Sequence, residues 1–186
     1  MHVAFVIYNG MTALDFIGMY DPVTRLKTMG FMPDLSWDIC AYTPEVRDGA
    51  GLLFTPSRVG ISLHDYAMVL VPGGFSTREM IDNPEFLAWL KTAAPCKLKV
   101  SVCTGSLLWG AAGFLQGKKA TTHPTAFSDL QPYCAQVLDR RVVDEGEIIT
   151  ARGVTSALDL GLYLCEKLAG HEVKERIRQQ MDYLTG

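Results

Sequence analysis

Four short runs, Val3–Tyr8, Tyr66–Val71, Leu98–Val102 and Ile148–Ala151, are predominantly apolar on both faces and rich in β-branched residues. A strand with one wet face alternates polar and apolar side chains, so runs of this kind belong to a parallel sheet covered by helices above and below. Trp37–Tyr42 joins them as a fifth strand. The longer stretches between them carry helical periodicity at Thr12–Thr28, Asn83–Ala94, Thr104–Phe114, Pro124–Leu130 and Val154–Leu168, followed by a charged helix at His171–Tyr183. Asn83-Pro84-Glu85 is a well-formed helix start, with a capping side chain, a proline at the first helical position and an acid in the first turn. Gly51–Thr55 and Arg140–Asp144 read as small antiparallel additions, the second closed by a turn at Asp144-Glu145-Gly146-Glu147. Strands alternating with helices make the fold class α/β, a three-layer sandwich with a mostly parallel central sheet. No linker, repeat or composition shift divides the chain, so residues 1–186 are expected to form a single domain.

With 48% hydrophobic and 20% charged residues the chain has the make-up of a globular protein rather than a disordered or fibrous one. Its net charge is −3, and its 17 Lys and Arg residues are scattered, which argues against nucleic acid or an anionic membrane as partner and favours a small molecule. The first residues lack a cationic leader with a small-residue cleavage site, and the apolar run there is too short to cross a bilayer, so a cytoplasmic location is expected. Five cysteines, Cys40, Cys96, Cys103, Cys134 and Cys165, form no C-x-x-C pair; all but Cys103 are expected to be reduced, buried fillers. The four histidines show no metal-ligand spacing, and no metal is expected.

Ligands of an open parallel sheet bind beyond the carboxyl ends of its strands, so the turns there matter most. After Leu98–Val102 comes Cys103-Thr104-Gly105-Ser106, the pattern of a nucleophile elbow, where a sharp strand-to-helix turn holds the middle side chain out over the sheet edge. A helix N-terminus at this point favours a thiolate and is expected to make Cys103 nucleophilic near neutral pH. The glycine spacing does not match a phosphate-binding P-loop. After Tyr66–Val71 comes Pro72-Gly73-Gly74, whose amides are unobstructed; those of Gly74 and Thr104 together suit an oxyanion hole, although Pro-Gly-Gly is equally an ordinary tight turn. The third turn leads into a helix carrying Asp15. An acid in a first helical turn commonly serves the helix dipole, but flanked by Leu14, Phe16 and Ile17 it is expected to be partly desolvated, with a raised pKa, and able to donate a proton. His123, in Thr121-Thr122-His123-Pro124, is either a general base or a helix-start residue bonded to backbone.

These residues resemble the ThiJ/PfpI (DJ-1-type) superfamily. The likeness rests on Leu14-Asp15-Phe16-Ile17-Gly18, Val71-Pro72-Gly73-Gly74, Ser101-Val102-Cys103-Thr104-Gly105-Ser106, the stretch 110–123 and Gly153-Val154-Thr155-Ser156-Ala157-Leu158-Asp159. It is nearest to the isocyanide hydratase branch and the amidase-like domains of AraC-type regulators. The resemblance implies a flavodoxin-like sandwich, a homodimer, no cofactor, and an oxidation-sensitive cysteine assisted by an acid, with Cys103 and Asp15 at those positions. Asp15 itself favours the hydratase, since glyoxalase- and deglycase-like members carry glutamate there. The implied chemistry is attack of Cys103 on an isocyanide and hydration of the adduct to an N-substituted formamide. Pro124 stands where the hydratase pattern has tryptophan, and the chain reads Leu184-Thr185-Gly186 where those relatives continue, so a different pocket is expected. The alternatives are a glyoxalase-, deglycase- or amidase-like cysteine enzyme, or a non-catalytic redox or ligand sensor. An amidotransferase-type triad lacks its His-x-Glu, because Arg152-Gly153-Val154-Thr155-Ser156 stands there.

Overall fold

The computed structural model describes residues 1–184, so Thr185 and Gly186 lie outside the described residues. In chain order the strands are β1 (His2–Ile7), β2 (Ser36–Ala41), β3 (Val46–Arg47), β4 (Leu53–Phe54), β5 (Arg58–Val59), β6 (Met68–Val71), β7 (Leu98–Val102), β8 (Lys119–Ala120), β9 (Gln136–Val137), β10 (Val142–Asp144) and β11 (Ile148–Ala151). The helices are α1 (Ala13–Thr28), α2 (Thr77–Met80), α3 (Pro84–Lys91), α4 (Gly105–Ala111), α5 (Phe127–Leu130), α6 (Ser156–Ala169) and α7 (His171–Gln180).

Seven strands form the main sheet in the order β10-β11-β7-β6-β1-β2-β5, all parallel except β10, which runs antiparallel to β11. Every residue of β6 and β11 is buried, as is all of β1 and β7 but the first residue of each, as expected of strands covered on both faces; Lys99 and Ser101 of β7 and Thr150 of β11 are polar residues buried with them. α1, α6 and α7 pack together, and α4 packs with α2 and α5. The chain belongs to the flavodoxin-like α/β class of three-layer sandwiches. α1 and α6 approach closely because both present glycine at the seam. A methyl on Gly18 would lie 2.6 Å from Ala157 Cβ, and one on Gly161 would lie 2.7 Å from the ring of Pro22. Pro22 inside α1 lacks the backbone donor for the Gly18 carbonyl, and at the same seam the Cys165 thiol donates to the Pro22 carbonyl at 3.3 Å.

Several elements differ from the sequence expectation. Asn83 caps α3 by accepting from the Phe86 amide at 3.0 Å, as its residue type implies, but the helix ends at Lys91. The stretch Thr104–Phe114 is helical only over Gly105–Ala111. Pro124–Leu130 is a 3-10 turn, Pro124–Ala126, followed by one turn of α-helix, and the last helix stops at Gln180 rather than Tyr183. Gly51–Thr55 supplies β4, paired antiparallel with β3, and Arg140–Asp144 supplies β10, so both antiparallel additions are present. The parallel pair β8–β9, the edge strand β5 and the one-turn helix α2 had no sequence counterpart. Cys40, Cys96 and Cys165 are buried, whereas Cys134 is only partly covered.

Candidate active site

Strand order builds the site. β7, β6 and β1 lie side by side and parallel, so the turns leaving their carboxyl ends converge, although they come from three separate parts of the chain. The turn after β1 is tied to the turn after β6 by a bridge between Met11 and Gly74 and by the Thr12 amide, which donates to the Gly73 carbonyl at 2.8 Å.

Cys103 adopts φ 55°, the left-handed region that non-glycine residues rarely enter. Neighbouring groups hold it there. Its amide faces the carbonyls of Ala151 and Arg152 at 3.0 Å each, and its carbonyl accepts from Thr122 Oγ1 at 2.9 Å. Gly73 permits the close approach of the next turn: a methyl on it would sit 2.5 Å from the Thr104 amide nitrogen and 2.8 Å from Cys103 Cβ. This is the elbow the sequence pattern suggested, with the side chain 5% exposed.

Asp15 is fully buried. Oδ2 accepts from the Gly73 amide at 2.9 Å, while Oδ1 is buried with no hydrogen-bond partner. The carboxyl therefore serves the neighbouring turn through Oδ2 and also interacts with the Cys103 thiol. Burial pushes its pKa up to about 7, against the opposing pull of the Gly73 amide and the Cys103 thiol. The direction matches the sequence expectation, but only part of the expected flank is buried. Phe16 is buried, Leu14 and Ile17 point outward at 45% and 43% exposure, and the turn after β6 adds a direct contact through the Gly73 amide.

The thiol departs from expectation. Burial first, and then the charge of Asp15, push Cys103 up to about 12, and the Thr104 amide offsets only part of this. The N-terminus of a seven-residue helix does not outweigh the loss of water and an adjacent carboxylate. Burial thus raises the thiol and the carboxyl together, favouring the protonated form of each.

The Gly74 amide is also placed differently from the sequence expectation. It donates to Thr104 Oγ1 at 2.9 Å, and the same hydroxyl donates to the Gly74 carbonyl at 3.0 Å. Gly74 thus orients Thr104, its carbonyl taking up the hydroxyl proton, and the Thr104 amide is the donor left to lower the thiol pKa. His123 does sit beside Cys103 on the wall of one cavity, of about 240 Å³. Its Nδ1 is engaged with Thr125 Oγ1 at 2.8 Å, and its ring packs against Gly153, where there is no room for a Cβ. It also caps the Pro124–Ala126 turn, accepting from the Thr125 amide.

Residues without a strong sequence signal complete the site. Tyr8 is buried at the end of β1 and donates to the Pro72 carbonyl at 2.8 Å; burial and the charges of Asp15 and Cys103 raise its pKa far above the usual phenol value. Thr12, Phe75, Arg78, Thr125 and Val154 line the cavity with Cys103. Phe75 is 89% exposed at the rim, the most open of the large apolar side chains. Gly73 was marked by the glycine pair after a strand and, like Val154, by the stretches that carry the family resemblance, whereas nothing local marked Arg78. Among the described residues, no three His, Cys, Asp or Glu side chains group as metal ligands, and no helix is long and apolar enough to cross a membrane.

Comparison with known proteins places this arrangement in context. Residues 1–167 match the DJ-1/PfpI family. The chain belongs to the DJ-1/PfpI family. It is 31% identical over 186 residues to isonitrile hydratase from Pseudomonas putida, covering 98% of this chain and 78% of that protein. It is 29% identical to protein DJ-1alpha from Drosophila melanogaster, covering 96% of this chain and 75% of that one. A crystal structure of a ThiJ/PfpI family protein from Pseudomonas syringae superimposes with a TM-score of 0.90 at 31% identity, covering 100% of this chain and 76% of that one. The superfamily is therefore settled, while hydratase- and DJ-1-named relatives stand at similar identity.

Proposed function

We propose that this DJ-1/PfpI protein is a cofactor-free enzyme that hydrates small isocyanides to N-substituted formamides through a covalent adduct on Cys103. The observation that carries the proposal is the buried pair formed by Asp15 and Cys103, whose side chains interact with each other while the Gly73 amide holds Asp15 Oδ2. The likeness to isonitrile hydratase over almost the whole chain points the same way.

The proton balance follows from the two pKa values. A thiol near 12 is a poor nucleophile until its proton leaves, and a carboxyl near 7 can accept it and release it again at neutral pH. Asp15 takes the thiol proton as Sγ bonds to the terminal isocyanide carbon, then returns it to that carbon, giving a thioimidate. Water adds to the C=N bond, its oxygen to carbon and one hydrogen to nitrogen. The tetrahedral adduct collapses with loss of the thiolate, which regains the remaining proton, and R–NH–CHO departs. Overall, one water is added to one isocyanide. The Thr104 amide supports negative charge on sulfur in the first and last steps. His123 borders the cavity and orients its wall.

The protein is further proposed to act as a homodimer at a cytoplasmic location. Leu14 and Ile17 on α1, and Leu52 and Leu53 on the hairpin beside it, are 43–57% exposed. The hairpin is held against α1 by the Gly49 amide, which donates to the Met11 carbonyl at 2.9 Å, and by an edge contact of Phe54 with Phe16. Apolar side chains grouped in this way suit a self-complementary interface.

The test is to follow an aryl isocyanide by ultraviolet absorbance and mass spectrometry with wild type and Cys103→Ala, with methylglyoxal assayed in parallel. Formamide formed only with Cys103 intact supports the proposal. Turnover of methylglyoxal alone transfers the site to the glyoxalase class. If neither substrate reacts while Cys103 oxidises readily, the site is a sensor.

A further inference from the structure

We propose that the Cys103 cavity selects substrates bearing a carboxylate, and that Arg78 is the specificity-determining residue that binds it. This inference rests on the proposed role of Cys103 as nucleophile and adds the class of substituent its substrate carries: a small isocyanide whose other end is an organic acid.

Among the described residues lining the cavity there is one guanidinium, from Arg78, and no carboxylate. Arg78 belongs to α2, the single helical turn that follows Pro72-Gly73-Gly74, so the turn that meets the elbow also sets the position of this charge. One terminal nitrogen of its guanidinium pairs with Asp129 of α5 at 3.0 Å. Asp129 does not line the cavity. The pair links α2 to α5 through one terminal nitrogen, leaving further N–H donors of the planar fork for a second acceptor. Thr12 and Thr125 add hydroxyls to the same wall, and Phe75 and Val154 are its apolar part. At about 240 Å³ the space is below the roughly 300–1,000 Å³ of pockets that take drug-sized ligands, so the occupant is small. An anion entering between apolar walls needs a charged donor, and Arg78 is the one present. Both members of the Arg78–Asp129 pair are about 40% exposed, so the preference is a few-fold effect rather than an absolute requirement.

Two pairs of matched reagents test this. The first compares kcat/KM for isocyanoacetate and its neutral ethyl ester in wild type, Arg78→Gln and Asp129→Asn. Wild type should favour the acid, Arg78→Gln should reduce the acid-to-ester ratio about fivefold, and Asp129→Asn, which removes the competing carboxylate, should raise it. The second compares alkylation of Cys103 by iodoacetate and iodoacetamide, read by mass spectrometry with Cys134 as internal reference. The Cys103 ratio of acid to amide should exceed that at Cys134 and fall to it in Arg78→Gln. A ratio indifferent to Arg78 in both assays overturns the inference while hydration by Cys103 stands. If neither isocyanide is hydrated, the proposed function falls and the alkylation ratio alone decides the recognition. A Cys103 that iodoacetamide labels but iodoacetate, relative to Cys134, does not also overturns it, since the cavity then disfavours a small acid.

Discussion

The Gly73 amide donates to Asp15 Oδ2 at 2.9 Å, joining residues 58 positions apart through adjacent strand ends of one sheet. That bond and the clearance at the Gly73 α-carbon make a single constraint. The turn after β6 must lie close enough to the elbow to hold the acid, and only a residue without a side chain can lie that close.

Gly73→Ala is therefore expected to damage the site more than the fold. The new methyl would meet the backbone of Thr104 and the Cβ of Cys103, neither of which can swing away as the tip of a flexible side chain does. Overpacking of this kind costs about 1–3 kcal/mol. The displaced turn also loses its grip on Asp15, so turnover should fall by roughly 100-fold or more, the scale of a lost general acid–base. Denaturant unfolding read beside turnover checks this; an Ala variant with wild-type turnover would show that the close approach is not needed.

Asp15 should make the protein less stable as pH rises. Its pKa is raised from 3.8 to about 7, so the folded state holds a proton that the unfolded state has already released. The stability lost is absent below about pH 4, grows through the interval up to about pH 7 and is constant above it. Asp15→Asn keeps an acceptor for the Gly73 amide but cannot ionise. The stability advantage of this variant over wild type is expected to widen by about 2–3 kcal/mol between pH 5 and pH 8. Thermal or urea unfolding of both proteins at the two pH values measures it, and a pH-independent gap would mean that Asp15 titrates as an ordinary carboxylate.

The elbow was legible because the signal is local: an apolar strand, a cysteine and a run of small residues lie within one short stretch of chain. The same holds for the Asn83-Pro84 helix start. Features that depend on which strands are neighbours were not legible. Nothing near Asp15 in sequence reveals that β1 lies next to β6, so its local flank of Leu14, Phe16 and Ile17 is the only desolvation sequence can show, and of these only Phe16 is buried. For the same reason Gly74 was assigned to an anion that its amide, bonded to Thr104 Oγ1, does not face. The thiol was expected to be acidic because helix geometry can be read from sequence, whereas the opposing carboxylate and the loss of water cannot. Two-residue strands such as Lys119–Ala120 and Gln136–Val137 carry no period to detect.

The exposed apolar group on α1 and its neighbouring hairpin should control assembly. Ile17→Glu combined with Leu53→Glu places charge in the middle of that group, at positions 43% and 48% exposed, where little intramolecular packing is lost. Sedimentation equilibrium is expected to give a dimer for wild type and a monomer for the double variant, with thermal stability of the protomer near wild type. A wild type that sediments as a monomer would remove the dimer from the proposal.

Replacing Asp15 should separate the reactivity of the thiol from the ability to turn over. The charge of Asp15 is one of the two largest causes holding Cys103 near 12, so Asp15→Asn should lower the thiol pKa while burial keeps it above the ordinary value. More of the sulfur is then thiolate at pH 8–9, and iodoacetamide should label Cys103 several-fold faster in the variant than in wild type. Hydration of an isocyanide also needs a proton delivered to carbon after attack, which asparagine does not supply, so turnover should fall by about 100-fold or more in the same protein. Faster alkylation with slower turnover is the combined signature of an acid that suppresses the resting thiolate and then completes the reaction. If both rates rose, Asp15 would be only an electrostatic brake on Cys103; if both fell, the substitution would have disturbed the elbow itself, which the Gly73 contact is positioned to prevent.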